Sequence, residues 1–440
     1  MTDPVRCEVL VVGAGPAGSA CAQVLAAAGV DVLLVDQHDF PRDKVCGDGL
    51  IPDSLAALRR LGVAEEVAAL AMPVRHVRLV GPRGGQVDVP GQLAVLPRLQ
   101  LDDVLLRAAL RSGARLQTRW RFEGPELEGV GTEPIGAKIL GAKILGEQLR
   151  GAQARVVGAR FKDLDQPAHS RSVQARWVVL ATGAVPAALT AAGLCERHTP
   201  SGVALRAYVQ AESLRDRIQQ LHIVWHPRLQ GGYGWIFPLP GGLFNIGAGL
   251  TGSHRRNKDG KGQMQPANLH RMLEAFAEIY PLAGELMKNG SLQGEIKGAP
   301  LRCSLQGARL SRPGLLATGE ALGSTYAFSG EGIGKALETG MLAAQVLCAA
   351  FAAAGTTATP AMTDAAVQAD YAARVSALQP MFDLYERASW VNQHPWMADL
   401  VIWRARRSPS ILRRLSGVLE ETQNPGRLFT LRGIRKLMFE

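Results

Sequence analysis

The chain has 440 residues, 47% of them hydrophobic, with a formal net charge of +10. That length supports two or three domains around substantial cores and excludes a disordered protein. Its six cysteines (Cys7, Cys21, Cys46, Cys195, Cys303 and Cys348) include no Cys-x-x-Cys pair, which argues against zinc or iron–sulfur ligation, so no metal site is expected.

The first element is an apolar strand from Cys7, followed by Gly13-Ala14-Gly15-Pro16-Ala17-Gly18, an alanine-rich helix, a second strand at Val32–Val35 and then Asp36. Each glycine has its own reason. Gly13 permits the tight turn, Gly15 lets backbone approach a pyrophosphate, and Gly18 lets helix and strand pack closely, while the helix N-terminus offers unpaired N–H groups. Asp36 stands where a carboxylate accepts hydrogen bonds from an adenosine ribose. No charged and apolar leader precedes the first strand, so a cleaved signal peptide is not expected and the chain is expected to be cytoplasmic.

Arg98 precedes a helix, and Trp177–Leu180 is a further buried strand. From about Pro200 to Pro300 the pattern alternates, as in Gly202–Gln210 and His222–His226, and favours an antiparallel sheet. Gly247-Ala248-Gly249-Leu250-Thr251-Gly252 repeats the glycine spacing. The polar residues after it have no apolar period, so it is read as a strand ending in a loop. With a single dinucleotide site, FAD is favoured over NAD as the resident cofactor. Leu315–Ala317 is a strand leading to Gly319-Glu320, and Gly330-Glu331-Gly332-Ile333-Gly334 opens an apolar helix reaching about Ala353. Within it, the run Met341–Ala354 is interrupted by Gln345 and falls short of a bilayer span of roughly 20 residues, so it is read as a buried helix. A tandem Gly136–Leu140 and Gly141–Leu145 copy is too short for a repeat architecture.

The C-terminal segment is basic. From Arg404 onward nine bases (Arg404, Arg406, Arg407, Arg413, Arg414, Arg427, Arg432, Arg435 and Lys436) face three acids (Glu420, Glu421 and Glu440). Ser408-Pro409 starts a helix whose Ile411, Leu412, Leu415, Val418 and Leu419 share one face. That face would lie on an anionic membrane surface, or pack on the protein with a solvated basic back. No recognition motif accompanies the charge, so a nucleic-acid partner is not expected.

Taken in order, Gly13–Gly18, Phe40-Pro41-Arg42-Asp43-Lys44-Val45-Cys46-Gly47-Asp48-Gly49-Leu50, Tyr233-Gly234-Trp235-Ile236-Phe237-Pro238 and Gly330–Ile333 resemble the geranylgeranyl reductase family over about residues 5–350. These are FAD-dependent reductases of isoprenoid double bonds, within the group that shares the aromatic-hydroxylase fold. The fold class expected is α/β. A Rossmann-like FAD-binding domain of the glutathione-reductase type (1–72, 97–190 and 300–355) interleaves with an antiparallel-sheet substrate domain (73–96 and 195–299), and a helical, basic segment (356–440) follows.

The resemblance implies that Gly13, Gly15, Pro16, Ala17, Gly18 and Asp36 hold the adenosine half of FAD, with Arg42 and Arg98 along the cofactor. It places Cys46 and Gly47 beside the isoalloxazine, Gly319-Glu320 at the ribityl chain, and Gly330, Gly332 and Ile333 at the pyrimidine edge. Tyr233, Trp235 and Phe237 would wall a substrate cavity. Two positions depart from the family: Glu320 stands where an aspartate is usual, and Ala327 where a proline is usual.

The chemistry implied is hydride transfer from flavin N5 to one alkene carbon, with an acid protonating the other. Cys46, Tyr233 and Glu331 are the candidate acids, Glu331 alternatively capping its own helix, and Cys46, Tyr233 and Trp235 form the catalytic set. Electrons would come from an external reductant such as NADPH or reduced ferredoxin, and the partner is a lipophilic small molecule. Two alternatives stand beside this. One is a monooxygenase or halogenase, although halogenases carry Trp-x-Trp-x-Ile-Pro where this chain has Tyr233–Pro238. The other is a flavoprotein electron carrier peripheral to the inner membrane face through its basic tail. Oligomeric state is left open.

Overall fold

The computed structural model describes residues 5–128, 154–195, 200–229, 231–251, 268–306, 308–354 and 362–420. The tandem repeat at 136–145, Gly252 and the bases Arg427, Arg432, Arg435 and Lys436 lie outside these residues.

Continuous apolar runs such as Val9–Val12 suit strands covered on both faces. They form the first sheet, whose parallel core runs Leu315–Ala317, Ser170–Leu180, Val5–Val12, Val32–Val35 and Arg115–Gln117. Ser311–Arg312 folds back on one edge, and Trp120–Leu127 with Val156–Asp163 forms an antiparallel meander joined to Ser170–Leu180. Helices Pro16–Ala27 and Ile333–Ala354 pack tightly together, since a Cβ on Gly340 would stand 2.2 Å from the Ala17 carbonyl oxygen. The run expected from Met341 is the second half of this 22-residue helix. It is long and apolar enough to cross a membrane, yet Leu337, Ala343, Val346 and Leu347 are fully buried in the core.

The second sheet has the order Ser291–Leu301, Gly202–Gln210, Leu243–Thr251, Gly232–Pro238, Leu221–Val224, Met72–Val80, Gln86–Val95 and Gly49–Leu50. It is antiparallel as the alternation suggests, except that Leu221–Val224 runs parallel to Met72–Val80, which reaches it through a long connection rather than a hairpin. Gly49–Leu50, inside the segment assigned to the nucleotide domain from sequence, sits at this sheet's edge against Val95 and Ala94. Helix Leu269–Ile279 covers one face. Phe276 fills the space over Gly234, where a Cβ would lie 2.5 Å from its ring. Tyr233, Trp235 and Phe237, on alternate positions, therefore point to the opposite face.

The second glycine motif is a strand, Leu243–Thr251, and its glycine has a packing role. A Cβ on Gly247 would lie 2.2 Å from the Trp235 indole, so the glycine makes room for that ring. After residue 362 come helices Asp364–Ser376, Gln379–Ala388, Trp390–Gln393, Trp396–Ala405 and Pro409–Leu419. Ser408 caps the last of these by accepting from the Ile411 N–H. The apolar face of this helix packs inward: Ile411 is buried with Trp225 and Val391, and the Ser416 hydroxyl donates to the Pro90 carbonyl at 2.8 Å.

Candidate active site

The turn after Val5–Val12 is fixed by backbone demands. Gly13 has φ 103, and a Cβ there would lie 2.4 Å from the Ala181 carbonyl oxygen. A Cβ on Gly18 would reach within 1.7 Å of the Gly13 carbonyl oxygen. Gly15 is different, because only the guanidinium tips of Arg42 and Arg98 come near, at 3.4 and 3.8 Å. It caps helix Pro16–Ala27, with Pro16 at the first position where its missing N–H costs nothing. The backbone is thus open toward a cleft flanked by two cations and a helix dipole, which suits a pyrophosphate.

Asp36 accepts from the Ala14 N–H at 2.8 Å and the His38 N–H at 2.9 Å. Burial pushes its pKa up. The hydrogen bonds from His38 and Ala14 and the charge of Arg42 outweigh that, so it stays below the ordinary aspartate value, an ionised acceptor.

The arginines are held by a residue that sequence reasoning passed over. Arg98 forms a two-pronged pair with the fully buried Asp102 at 2.6 and 2.7 Å, and Arg42 reaches the same carboxylate at 3.3 Å. Arg98 is held well above its ordinary pKa, the Asp102 charge and hydrogen bonds overcoming its burial. Arg42 Nε is buried without a hydrogen-bond partner, an open donor in the cleft. That donor, the glycine turn and the helix N-terminus fit a bound dinucleotide.

Glu320, in place of the usual aspartate, pairs with Lys44 at 3.3 Å and accepts from the Thr325 hydroxyl at 3.2 Å. The longer side chain therefore links the Arg42–Cys46 loop to the Gly319 turn.

At the far end of the cleft, Tyr233, Trp235 and Phe237 form a row with centroids 6.2 and 6.4 Å apart, extended by Trp225 and Phe328. Beneath it lies a polar network. Trp235 Nε1 donates to Asn245 Oδ1 at 2.9 Å, and Asn245 Nδ2 donates at 2.8 Å both to the Cys46 carbonyl and to Asp48. The Tyr208 hydroxyl also donates to Asp48. Asp48 has φ 63, an unusual conformation that an aspartate tolerates. It is fully buried, and burial raises its pKa to about 6 against the hydrogen bonds of Tyr208 and Asn245 and the charges of Arg206 and Arg98. Burial, with the Asp48 charge behind it, also pushes the Cys46 thiol up, so it keeps its proton.

Tyr233 donates its hydroxyl proton to the Ser329 carbonyl, and burial raises its pKa as well. Glu331 Oε1 accepts from the Gly334 N–H at 2.8 Å, the helix cap anticipated from sequence.

One cavity of about 660 Å³ is lined by Gly13, Gly15, Pro16, Ala17, Asp36, Arg42, Cys46, Gly47, Arg98, Tyr233, Trp235, Glu320, Gly330, Gly332 and Ile333. Two of the sequence-expected residues do not line it. Gly18 packs on Gly13, and Gly319, with φ 67, packs on Ala17. Asp102, Asp48 and Asn245 were missed. The only signal for the first was an arginine and an aspartate four residues apart on an expected helix.

A family model described as an FAD binding domain matches residues 6–137. Menaquinone reductase of Mycolicibacterium smegmatis is 30% identical over 373 residues, covering 78% of this chain and 76% of its own length. Digeranylgeranylglycerophospholipid reductase 1 of Methanopyrus kandleri is 26% identical over 343 residues, covering 77% and 80%. Among solved structures, a geranylgeranyl bacteriochlorophyll reductase-like protein of Thermoplasma acidophilum superposes with a TM-score of 0.67 at 21% identity, covering 100% and 97% of the two chains. A myxobacterial chondrochloren halogenase gives 0.68 at 20% identity, covering 99% and 96%. The glycine turn, ionised Asp36 and matching domain make the molecule an FAD-dependent oxidoreductase of α/β fold. Its relatives narrow this: the chain belongs to the geranylgeranyl reductase family.

Proposed function

We propose that the chain reduces carbon–carbon double bonds in the polyprenyl portion of a lipid. The observation that carries this reading is the apolar end of the cavity, where Leu79, Leu221, Ile223, Trp225 and Phe328 continue the aromatic row. Such a lining suits a long hydrocarbon and offers few partners to a polar substrate. The names of the relatives, menaquinone reductase and digeranylgeranylglycerophospholipid reductase, both specify prenylated lipids.

FAD held between Gly15, Arg42, Glu320 and Gly330 would supply hydride to one alkene carbon. The residues of the chain do the rest. The aromatic row aligns the alkene and excludes water. Cys46 holds a proton at Sγ for the second alkene carbon, since its thiol is kept protonated. Tyr233 directs its proton away to the Ser329 carbonyl, and Glu331 is committed to its helix. The Gly330 turn and the N-terminus of helix Ile333–Ala354 would stabilise negative charge at the pyrimidine edge. The reductant would be external, NADPH or reduced ferredoxin.

The test is anaerobic. Flavin reduced with dithionite should reoxidise on addition of a geranylgeranyl lipid without a quinone ring, yielding a product heavier by one dihydrogen. Flavin that stays reduced until air is admitted, and then oxygenates or halogenates an added aromatic, would overturn the proposal in favour of a monooxygenase or halogenase.

A further inference from the structure

Three of the seven tryptophans are displayed to solvent, and all three lie in the segment 390–403: Trp390 and Trp396 are each 58% exposed and Trp403 45%. Trp177, Trp225 and Trp235 are buried, so this clustering is not the habit of the chain. Trp396 and Trp403 are seven residues apart on helix Trp396–Ala405 and share one face. Opposite them Met397, Ala398, Ile402 and Ala405 are buried against the substrate sheet. The helix thus has two apolar faces, and only the inner one has a partner among the described residues.

The surroundings are basic. Between Trp396 and Leu419, Arg404, Arg406, Arg407, Arg413 and Arg414 face a single acid, Asp399, which is occupied by the Arg83 N–H and guanidinium. The Arg407 guanidinium lies 4.8 Å from the Trp403 ring centroid. Indoles beside guanidinium groups suit the boundary between hydrocarbon and anionic headgroups, where the ring is buried and its N–H stays wet.

The position of the patch matters as much as its chemistry. Asn392, two residues after Trp390, accepts from the Trp225 indole at 2.8 Å and donates to the Phe328 carbonyl at 3.1 Å. Both rings line the apolar part of the cavity, and Leu419, closing helix Pro409–Leu419, lines the same space.

We infer that Trp390, Trp396 and Trp403, with their flanking arginines, dock this face on an anionic lipid bilayer and set the apolar end of the cavity against the membrane. Of the two readings of the apolar stripe of helix Pro409–Leu419, lying on a membrane or packing on the protein, the second holds: the stripe is turned into the protein. The helix supplies Arg413 and Arg414 but not the inserted side chains.

The full chain would be floated with vesicles of phosphatidylcholine alone or mixed with phosphatidylglycerol, neither containing a reducible prenyl lipid. Binding to the anionic vesicles is expected, with a blue shift of tryptophan emission and quenching by brominated acyl chains. The pair Trp396→Ala and Trp403→Ala should lower vesicle partition at least tenfold. The pair Arg406→Glu and Arg407→Glu should lower it too and flatten its salt dependence. Both pairs are exposed, so an unchanged melting temperature confirms the fold.

Protein that stays unbound, or tryptophan variants that float like wild type, would overturn the inference. So would a dimer that Trp403→Ala converts to monomer, or indoles that acrylamide fails to quench because residues 421–440 cover them. Vesicle binding reads docking without any turnover, so failure of the proposed reduction would leave this result standing.

Discussion

The two ends of the cleft are built on different principles. At the glycine turn the backbone sets the shape: Gly13 and Gly18 are there because a Cβ would collide at 2.4 and 1.7 Å, and the helix N-terminus faces the cleft beside Arg42, Arg98 and Asp36. At the aromatic end the contribution is almost wholly side chain, with Trp235, Asn245, Asp48 and Tyr208 hydrogen-bonded in series. A backbone cradle reads a phosphate whatever is attached to it. A side-chain wall can be retuned for a new substrate without disturbing the fold, which is how reductases and halogenases come to share this architecture.

The largest expected effect separates two kinds of glycine. Gly15→Val should give a folded but colourless protein, because its side chain meets only movable guanidinium tips yet blocks approach of the phosphates. Gly18→Ala should fail to fold, since a backbone carbonyl cannot yield. Flavin absorbance and thermal melts of the two distinguish them, and a yellow Gly15→Val would break the assignment.

Next comes Asp102→Asn, which leaves Arg98 and Arg42 buried without their shared carboxylate and should cost about 3–5 kcal/mol. Denaturant unfolding would measure it, with weaker flavin retention as the second readout. At the other end of the cleft, Cys46→Ala should slow alkene reduction about 10²-fold while flavin content and flavin reduction stay unchanged. Equal rates in wild type and variant would move the proton source elsewhere.

The smallest effect is one of pH. Burial raises Asp48 from 3.8 to about 6, so the folded chain holds that proton more tightly than the unfolded chain. The stability this contributes is fully present below pH 3.8 and is lost as pH rises to about 6. Asp48→Asn should flatten that part of the melting-temperature profile, and an unchanged slope would show that another group carries it.

What was readable in the sequence follows the same division. The Gly13–Gly18 turn, Val32–Val35 and the cap at Ser408 are local, each fixed by residues a few positions apart. The helix opened by Gly330 was legible for the same reason, starting at Ile333. Asp48 lay within the stretch that carried the family resemblance, yet its partners Tyr208 and Asn245 lie 160 and 197 residues away. Only strand register sets Tyr208 opposite Asn245, and Asn245 opposite Phe237. The parallel pairing of Leu221–Val224 was likewise invisible, because alternation reports which side chains are buried and not which strand lies alongside.

The tight seat of Gly340 on Ala17 has a consequence for biosynthesis. The side of the first helix that Ala17 presents receives its partner only after roughly three hundred more residues, a delay on the order of tens of seconds at ordinary elongation rates, whereas Arg98–Arg111 is made early enough to cover Ala20. Until then the Ala17 side of Pro16–Ala27 and one side of strand Ser170–Leu180, which awaits Leu315–Ala317, are uncovered. The nascent chain therefore carries exposed apolar surface through much of its synthesis, and the cavity is completed only when residues 320–336 have been made.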